Sequence, residues 1–304
     1  MKGIVKMNSI TKITTSPIKK KYKKKSQFIE TWKRMKRNKT AMAGLIIFSL
    51  ILLCMIFADL IVSYNVAIDQ NIVERMKTPS MAHWFGTDSY GRDIFARIIH
   101  ATRNSLLMGI GAVIVGVSLG GIFAGIARYY GGIADTIIMR IMDTIICIPF
   151  LLLALALVAA LGTGLVNVLI ALMIANIPYY TRIIRSAILT VNGQDFIEAA
   201  KSCGTPDRYI ILKHILPNAI GTIIVQTTMS VGSMIISAAS MSFIGMGIQP
   251  PTPEWGSMLS EGKSFMMYAP HIVIFPGIAI SLTALSLNLM GDGLRDALDP
   301  RLKD

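Results

Sequence analysis

Gly262-Lys263-Ser264 is the one place where this chain offers a phosphate-binding lysine. A nucleotide-phosphate loop also needs a glycine five positions before that Gly, so that backbone N–H groups can cradle the phosphates, and Ser257 stands there instead. Metal chemistry has no better footing. His83, His100, His214 and His271 share no ligand spacing on one helix, and Cys54, Cys147 and Cys203 form no C-x-x-C pair. The 19 methionines are scattered, as suits a side chain that fills irregular gaps. No nucleophile, base and orienting group share a plausible cleft. Asp59 and Asp143 could relay protons, but both fall at the ends of apolar runs, at headgroup level. The expectation is a chain with no catalytic residue, no metal site and no cofactor of its own.

Polar side chains inside apolar runs are more telling, because in lipid they face a protein interior or a solute path. Gln226, Ser230, Ser233, Ser237 and Ser240 recur at helical spacing and fall near one face. Two readings stand: a path that offers hydroxyls to a polar solute, or close helix packing through small residues. Asn288 is a further path candidate, and Asn167 and Asn176 are weaker ones.

These residues need a membrane around them. Of 304 residues 53% are hydrophobic and 15% are charged, against roughly a quarter charged in an average soluble domain. A helix crossing a hydrocarbon core about 30 Å thick needs about 20 residues. Charge-free windows of that size run over 40–58, 104–127, 144–181, 215–253 and 264–291. The third is long enough for two spans with a turn at Gly162-Thr163-Gly164, and the fourth should end near Met246, before Pro250, Pro251 and Pro253. About six transmembrane helices result, in an all-α polytopic membrane protein. With both termini in the cytoplasm, 24 Lys or Arg lie inside and six outside, as the positive-inside rule requires. Three of those six, with His100, frame an expected interfacial helix over 93–106: Ile94, Phe95, Ile98, Ile99 and Leu106 face lipid, while Arg92, Arg97, His100 and Arg103 stay wet in the outer headgroup layer.

The long cytoplasmic loop, 182–217, reads as two short helices around a corner. Gln194 to Cys203 is one helix, stopped by Gly204, with Asn192 or Asp195 near its start. Thr205 can cap the second, with Pro206 and Asp207 in its first turn. Ala199 and Ala200 keep one face narrow enough for a close docking partner, flanked by Glu198 and Lys201.

Glu198-Ala199-Ala200, then Gly204, then Leu216-Pro217, resembles the EAA motif of permease subunits of bacterial ABC importers. His214 stands where the general pattern has Ile, and His214-Ile215-Leu216-Pro217-Asn218 is similar to the peptide and nickel branch. Phe85-Gly86-Thr87-Asp88 with Gly91-Arg92-Asp93, Tyr130-Gly131-Gly132 with Asp135, and the run from Gly291 to Pro300 extend the likeness from about Phe28 to the C-terminus. The chain is identified as a "C" type permease of the dipeptide, oligopeptide and nickel family, with a type I importer permease fold. The resemblance implies a heterodimer with a related permease, two cytoplasmic ATP-binding subunits that hold ATP and Mg, and an extracytoplasmic substrate-binding protein in a bacterial cell membrane. It implies that Glu198, Ala199, Ala200, Lys201, Gly204, Thr205 and Asp207 couple the ATPases to the spans, with peptides as substrate and nickel or a metal chelate as the alternative.

The domain boundaries follow as a basic cytoplasmic tail over 1–27, an N-terminal domain with the first span over 28–80, and a core permease over 81–304. Fourteen of the 30 Lys and Arg lie in the first 40 positions beside one acid, Glu30. That tail is read as a solvated segment near lipid headgroups, not a nucleic-acid binder, since no recognition fold accompanies it. A secondary transporter is disfavoured because intramembrane charges are missing from the centres of the spans.

Overall fold

The computed structural model describes residues 27–298; the basic run Lys19 to Lys25 and the terminal Asp299-Pro300 lie outside them. The described residues form helices joined by loops, with one isolated bridge between Thr87 and Asp93. A short helix α1, Gln27–Arg37, breaks at Asn38, whose extended backbone and side-chain carbonyl start α2, Lys39–Ile56. Two short helical turns follow, α3, Ala58–Ile61, and α4, Tyr64–Ile68. The longest element is α5, Ile94–Tyr130, followed by α6, Gly132–Ile146, α7, Phe150–Leu161, and α8, Leu165–Asn192.

Among the described residues five helices are long and apolar enough to cross a membrane, and a sixth crossing exists only as the pair α6 and α7, bent by 87°. At about 1.5 Å per residue the 12-residue α7 is too short to cross alone. Ile148 and Pro149 make the break, since Pro149 has no N–H to continue the ladder. The 144–181 window therefore yields one broken and one continuous helix.

After α8 come α9, Asp195–Ser202, and α10, Asp207–Tyr209, which runs through a π-helical stretch, Ile210–Ile215, into α11, Leu216–Phe243. The Leu216 N–H reaches five residues back to the Ile211 carbonyl, so the chain enters Pro217 already off the ordinary α ladder, and no corner forms there. Gly245, at φ +93°, closes α11 as expected near Met246. A short helix α12, Trp255–Gly262, and the last span α13, His271–Leu298, complete the bundle.

Helices α5, α8, α11 and α13 form the core, and α2 lies against α13. Without hydrophobic attraction between helices in lipid, close approach has to come from small residues. At Gly120 of α5 an added Cβ would sit 2.7 Å from the Tyr180 Cβ and 2.8 Å from the Thr181 backbone N, so the two backbones nearly touch. Gly293 of α13 serves likewise against Ala41 of α2.

The interfacial helix expected over 93–106 is not separate: it is the first three turns of α5, and Arg92, Arg97 and His100 are buried. Their polarity is spent on the protein rather than on water. Arg92 donates Nε to Asp88 Oδ2 at 2.7 Å and Nη2 to Glu261 Oε2 at 2.6 Å, and Arg97 Nη2 lies 3.2 Å from the same Glu261 oxygen. His100 Nε2 meets the Val62 carbonyl at 2.9 Å, and the half-exposed Arg103 pairs with Asp59 at 2.8 Å. The Arg103 guanidinium holds the Asp59 carboxyl below the usual carboxylate range. The sequence pattern was right about helicity and wrong about the partner, because Glu261 comes from a segment 169 positions along the chain from Arg92.

The first residues of α5 thus bind two neighbouring elements. On one side they hold the loop after α2. On the other they hold α12, where the buried Glu254 caps the helix by accepting from Gly256 N at 2.8 Å and Ser257 N at 2.7 Å, and also takes the Ser105 hydroxyl at 3.3 Å. Burial pushes the Glu254 carboxyl above its ordinary value, against the pull of those donors.

Candidate coupling loop and polar helix face

The base of the candidate coupling loop is fixed by ion pairs that stand on α8. Arg182 and Arg185, one turn apart, reach Asp143 at 2.6 Å and Asp135 through two bonds of 2.7 and 2.5 Å, both acids on α6. The Tyr130-Gly131-Gly132 corner makes this possible. Both glycines have positive φ, 62° and 48°, which turns α5 into α6 with Asp135 facing α8. The arginines' i, i+3 spacing was the available signal for this pairing, and sequence reasoning missed it.

Beyond that base, α9 is held by one anchor. Ile197 is fully buried, and Ala200 packs on the same core. Asp195, Glu198, Ala199 and Ser202 point away and are exposed. The two alanines expected to share a docking face are divided: Ala199 outward, Ala200 inward. Lys201 and Asp207 both line a cavity of about 270 Å³, together with Arg128, Tyr130 and Asn192.

The stop at Gly204 has a specific geometry. Gly204 has φ +73°, its N–H bonds to the Lys201 carbonyl at 2.9 Å, and the Thr205 N–H bonds to the Ala200 carbonyl at 3.1 Å. This is a Schellman ending, which satisfies two of the last carbonyls of α9 and requires the left-handed conformation that glycine adopts without a Cβ penalty. The starts of the two helices depart from expectation. Gln194 occupies the cap of α9 and Pro206 the cap of α10, neither with a side-chain bond, so neither Asn192, Asp195 nor Thr205 caps. In both, the extended backbone of the cap residue (ψ 146° and 143°) sets the turn.

The polar face of α11 is brought together only in part. Gln226 donates to the Tyr179 hydroxyl of α8 at 2.6 Å. Ser230 is buried and donates back to the Gln226 carbonyl at 2.8 Å. Ser233 is exposed, and Ser237 and Ser240 are half-buried, their hydroxyls bonded to Ser233 and Ile236 carbonyls one turn back. Asn288 does not join this row: its Oδ1 stands beside Gly232, on the flank of α11 that faces α13. Asn167 bonds the Leu161 carbonyl at 2.8 Å and closes the α7–α8 hairpin, while Asn176 is buried. Tyr179 was missed, its signal being the polar ring that follows Pro178 inside an apolar helix.

Residues 116–304 match the family described as the inner membrane component of binding-protein-dependent transport systems. Residues 26–79 match the N-terminal transmembrane domain of oligopeptide transport permease C. The chain is 44% identical over 291 residues, 96% of each chain, to the glutathione transport system permease protein GsiD of Escherichia coli O157:H7, and equally to that of Shigella sonnei (strain Ss046). Its fold resembles a chain of the methionine ABC transporter MetNI in an inward-facing conformation, with TM-score 0.56 and 18% identity over 68% of this chain and 98% of that one. The fold is thus that of a type I ABC importer permease, and this chain belongs to the binding-protein-dependent transport system inner membrane component family.

Proposed function

We propose that this chain is one of two permease halves of an ATP-driven importer of peptides, and that α9 is the lever through which ATP acts on it. The observation that carries the reading is the outward face of α9, with Glu198 and Ala199 exposed on a helix pinned from beneath by Ile197 and ended by Gly204. A rigid short helix with one buried anchor transmits a push without absorbing it. ATP binding in two partner ATPase subunits, which hold ATP and Mg, favours one arrangement of the permease pair through differential contact with this helix, as a two-state switch demands. Hydrolysis is done by those partners and not by this chain.

The substrate class rests on the relatives. GsiD is by name a glutathione permease, glutathione is a short peptide, and the N-terminal match is to an oligopeptide permease. The row Ser233, Ser237 and Ser240, left open by this chain, suits the seam with a related permease, where hydroxyls can meet peptide backbone groups without selecting a side chain. Selection then falls to an extracytoplasmic binding protein. Both termini lie in the cytoplasm of a bacterial cell, with 28–80 as an added N-terminal domain and 81–304 as the core.

The test is Gly204→Pro in the assembled transporter. Proline, with φ near −65°, cannot hold the conformation at +73°. The expected result is normal membrane insertion, loss of labelled-peptide uptake and loss of substrate-stimulated ATPase activity. Full uptake with normal stimulation defeats the lever; nickel uptake lost in place of peptide uptake moves the substrate to a metal complex and leaves the lever standing.

A further inference from the structure

The element that the importer reading leaves without a task is α1. Its sequence, Gln27–Arg37, carries Lys33, Arg34, Lys36 and Arg37 against one acid, Glu30. On a helical wheel Ile29, Trp32 and Met35 fall on one arc, with Lys33, Arg37 and Arg34 spread over the opposite one. The apolar arc is used only at one edge. Met35 is buried with Ala41 and Ala297, where α2 and α13 meet, while Ile29 is 50% exposed and Trp32 38% exposed.

Where that open edge lies is set by the neighbouring element. α2 is a span that starts two residues after α1 ends, and Asn38 between them has an extended backbone that redirects the chain. The exposed Ile29 and Trp32 therefore sit at the bilayer surface. Lys36 Nζ stands 5.3 Å from the Trp32 ring, so a cation and an amphipathic ring are held at one depth.

We infer that α1 is a surface-lying helix that binds the anionic headgroups of the inner leaflet through Lys33, Lys36 and Arg37 while Ile29 and Trp32 enter the headgroup boundary. Charge complementarity selects the occupant: four cations to one anion beside a bilayer suit phosphatidylglycerol-type headgroups and not zwitterionic ones. The binding bears on transport because α1 does not float free. Asn38 Nδ2 donates to Asp296 of α13 at 3.3 Å, and Met35 packs on Ala297, so lipid that holds α1 also holds the cytoplasmic end of the last span.

The test places the assembled transporter in nanodiscs containing brominated phosphatidylglycerol or brominated phosphatidylcholine and reads the Trp32 fluorescence as the difference from Trp32→Phe. Quenching by the anionic lipid is expected at a mole fraction lower by about fivefold or more, the effect of a single basic residue near an anionic surface. The variant Lys33→Gln/Arg34→Gln/Lys36→Gln/Arg37→Gln, all at solvent-accessible positions, should equalise the two lipids with the ATPase subunits still co-purifying. Equal quenching in the native chain, no quenching by either lipid, or a preference that survives the variant overturns the inference. So does loss of the ATPase subunits with the lipid preference intact, which assigns the face to them.

Discussion

Arg92 Nη2 lies 2.6 Å from Glu261 Oε2 although 169 positions separate them, and Arg97 shares the same oxygen at 3.2 Å. All three groups are largely withdrawn from solvent, so this carboxylate carries two buried guanidinium charges at once, with Asp88 as the second anion.

Removing it should be expensive. Glu261→Ala leaves Arg92 and Arg97 short of an anion, and losing one partner of a buried pair costs about 3–5 kcal/mol. The thermal midpoint of the purified complex in detergent should fall accordingly. Replacing Arg92, Arg97 and Glu261 with Met and Asp88 with Asn together should recover most of the loss, because all four charges of the cluster and their desolvation leave together. A single Glu261→Ala as stable as the native chain means the cluster is hydrated and contributes nothing.

The α5–α8 contact gives a second expectation. Gly120→Val drives a side chain into the Tyr180 Cβ and the Thr181 backbone, and overpacking of this kind costs typically about 1–3 kcal/mol. Gly125, on the same helix with open space around its Cα, is the control: Gly125→Ala should gain about 0.5–1 kcal/mol from helix propensity. Unfolding midpoints that move the same way in both variants contradict the packing account.

How much was legible follows from which interactions are local. The spans were readable because burial in lipid needs an uninterrupted apolar run, and the Gly204 and Gly245 helix ends were readable because a left-handed ending has a residue signature. The broken crossing was not, since the window began at Thr144 only because Asp143 is charged, and nothing local says that Arg182 neutralises Asp143. The outer arginines failed for the same reason: a helical wheel gives direction but not partner, and Glu261 lies across the chain. The row on α11 was legible as a row from its helical spacing, whereas the place of Asn288, a separate candidate chosen by polarity, beside Gly232 on the flank facing α13 depends on packing between distant helices.

That row supports a graded prediction. Ser233 is exposed and Ser237 half-buried, so Ser233→Phe and Ser237→Phe should leave the midpoint of the isolated subunit within about 0.5 kcal/mol of native, as surface changes do. In the assembled importer both should cut peptide uptake. Ser230→Phe, at a buried position, should destabilise the subunit itself. Uptake unchanged in Ser233→Phe and Ser237→Phe removes the face from both the path and the permease seam.

Glu254 gives the pH dependence. Burial raises its carboxyl in the folded chain above the ordinary 4.5, so the folded state takes up a proton that the unfolded chain has not yet bound. Its contribution is fully present below pH 4.5 and is lost as pH rises through the raised folded value. Asp59 works the other way: held low by Arg103, it contributes above its ordinary 3.8 and loses that as pH falls. The difference in midpoint between the native chain and Glu254→Gln separates them, because Asp59 is common to both. Above the transition the variant, which carries no charge to bury, should gain on the native chain, and the gain should vanish on acidification toward pH 4.5. A difference that stays constant from pH 4.5 to 8 shows that Glu254 holds one protonation state throughout, with its three donors outweighing its burial.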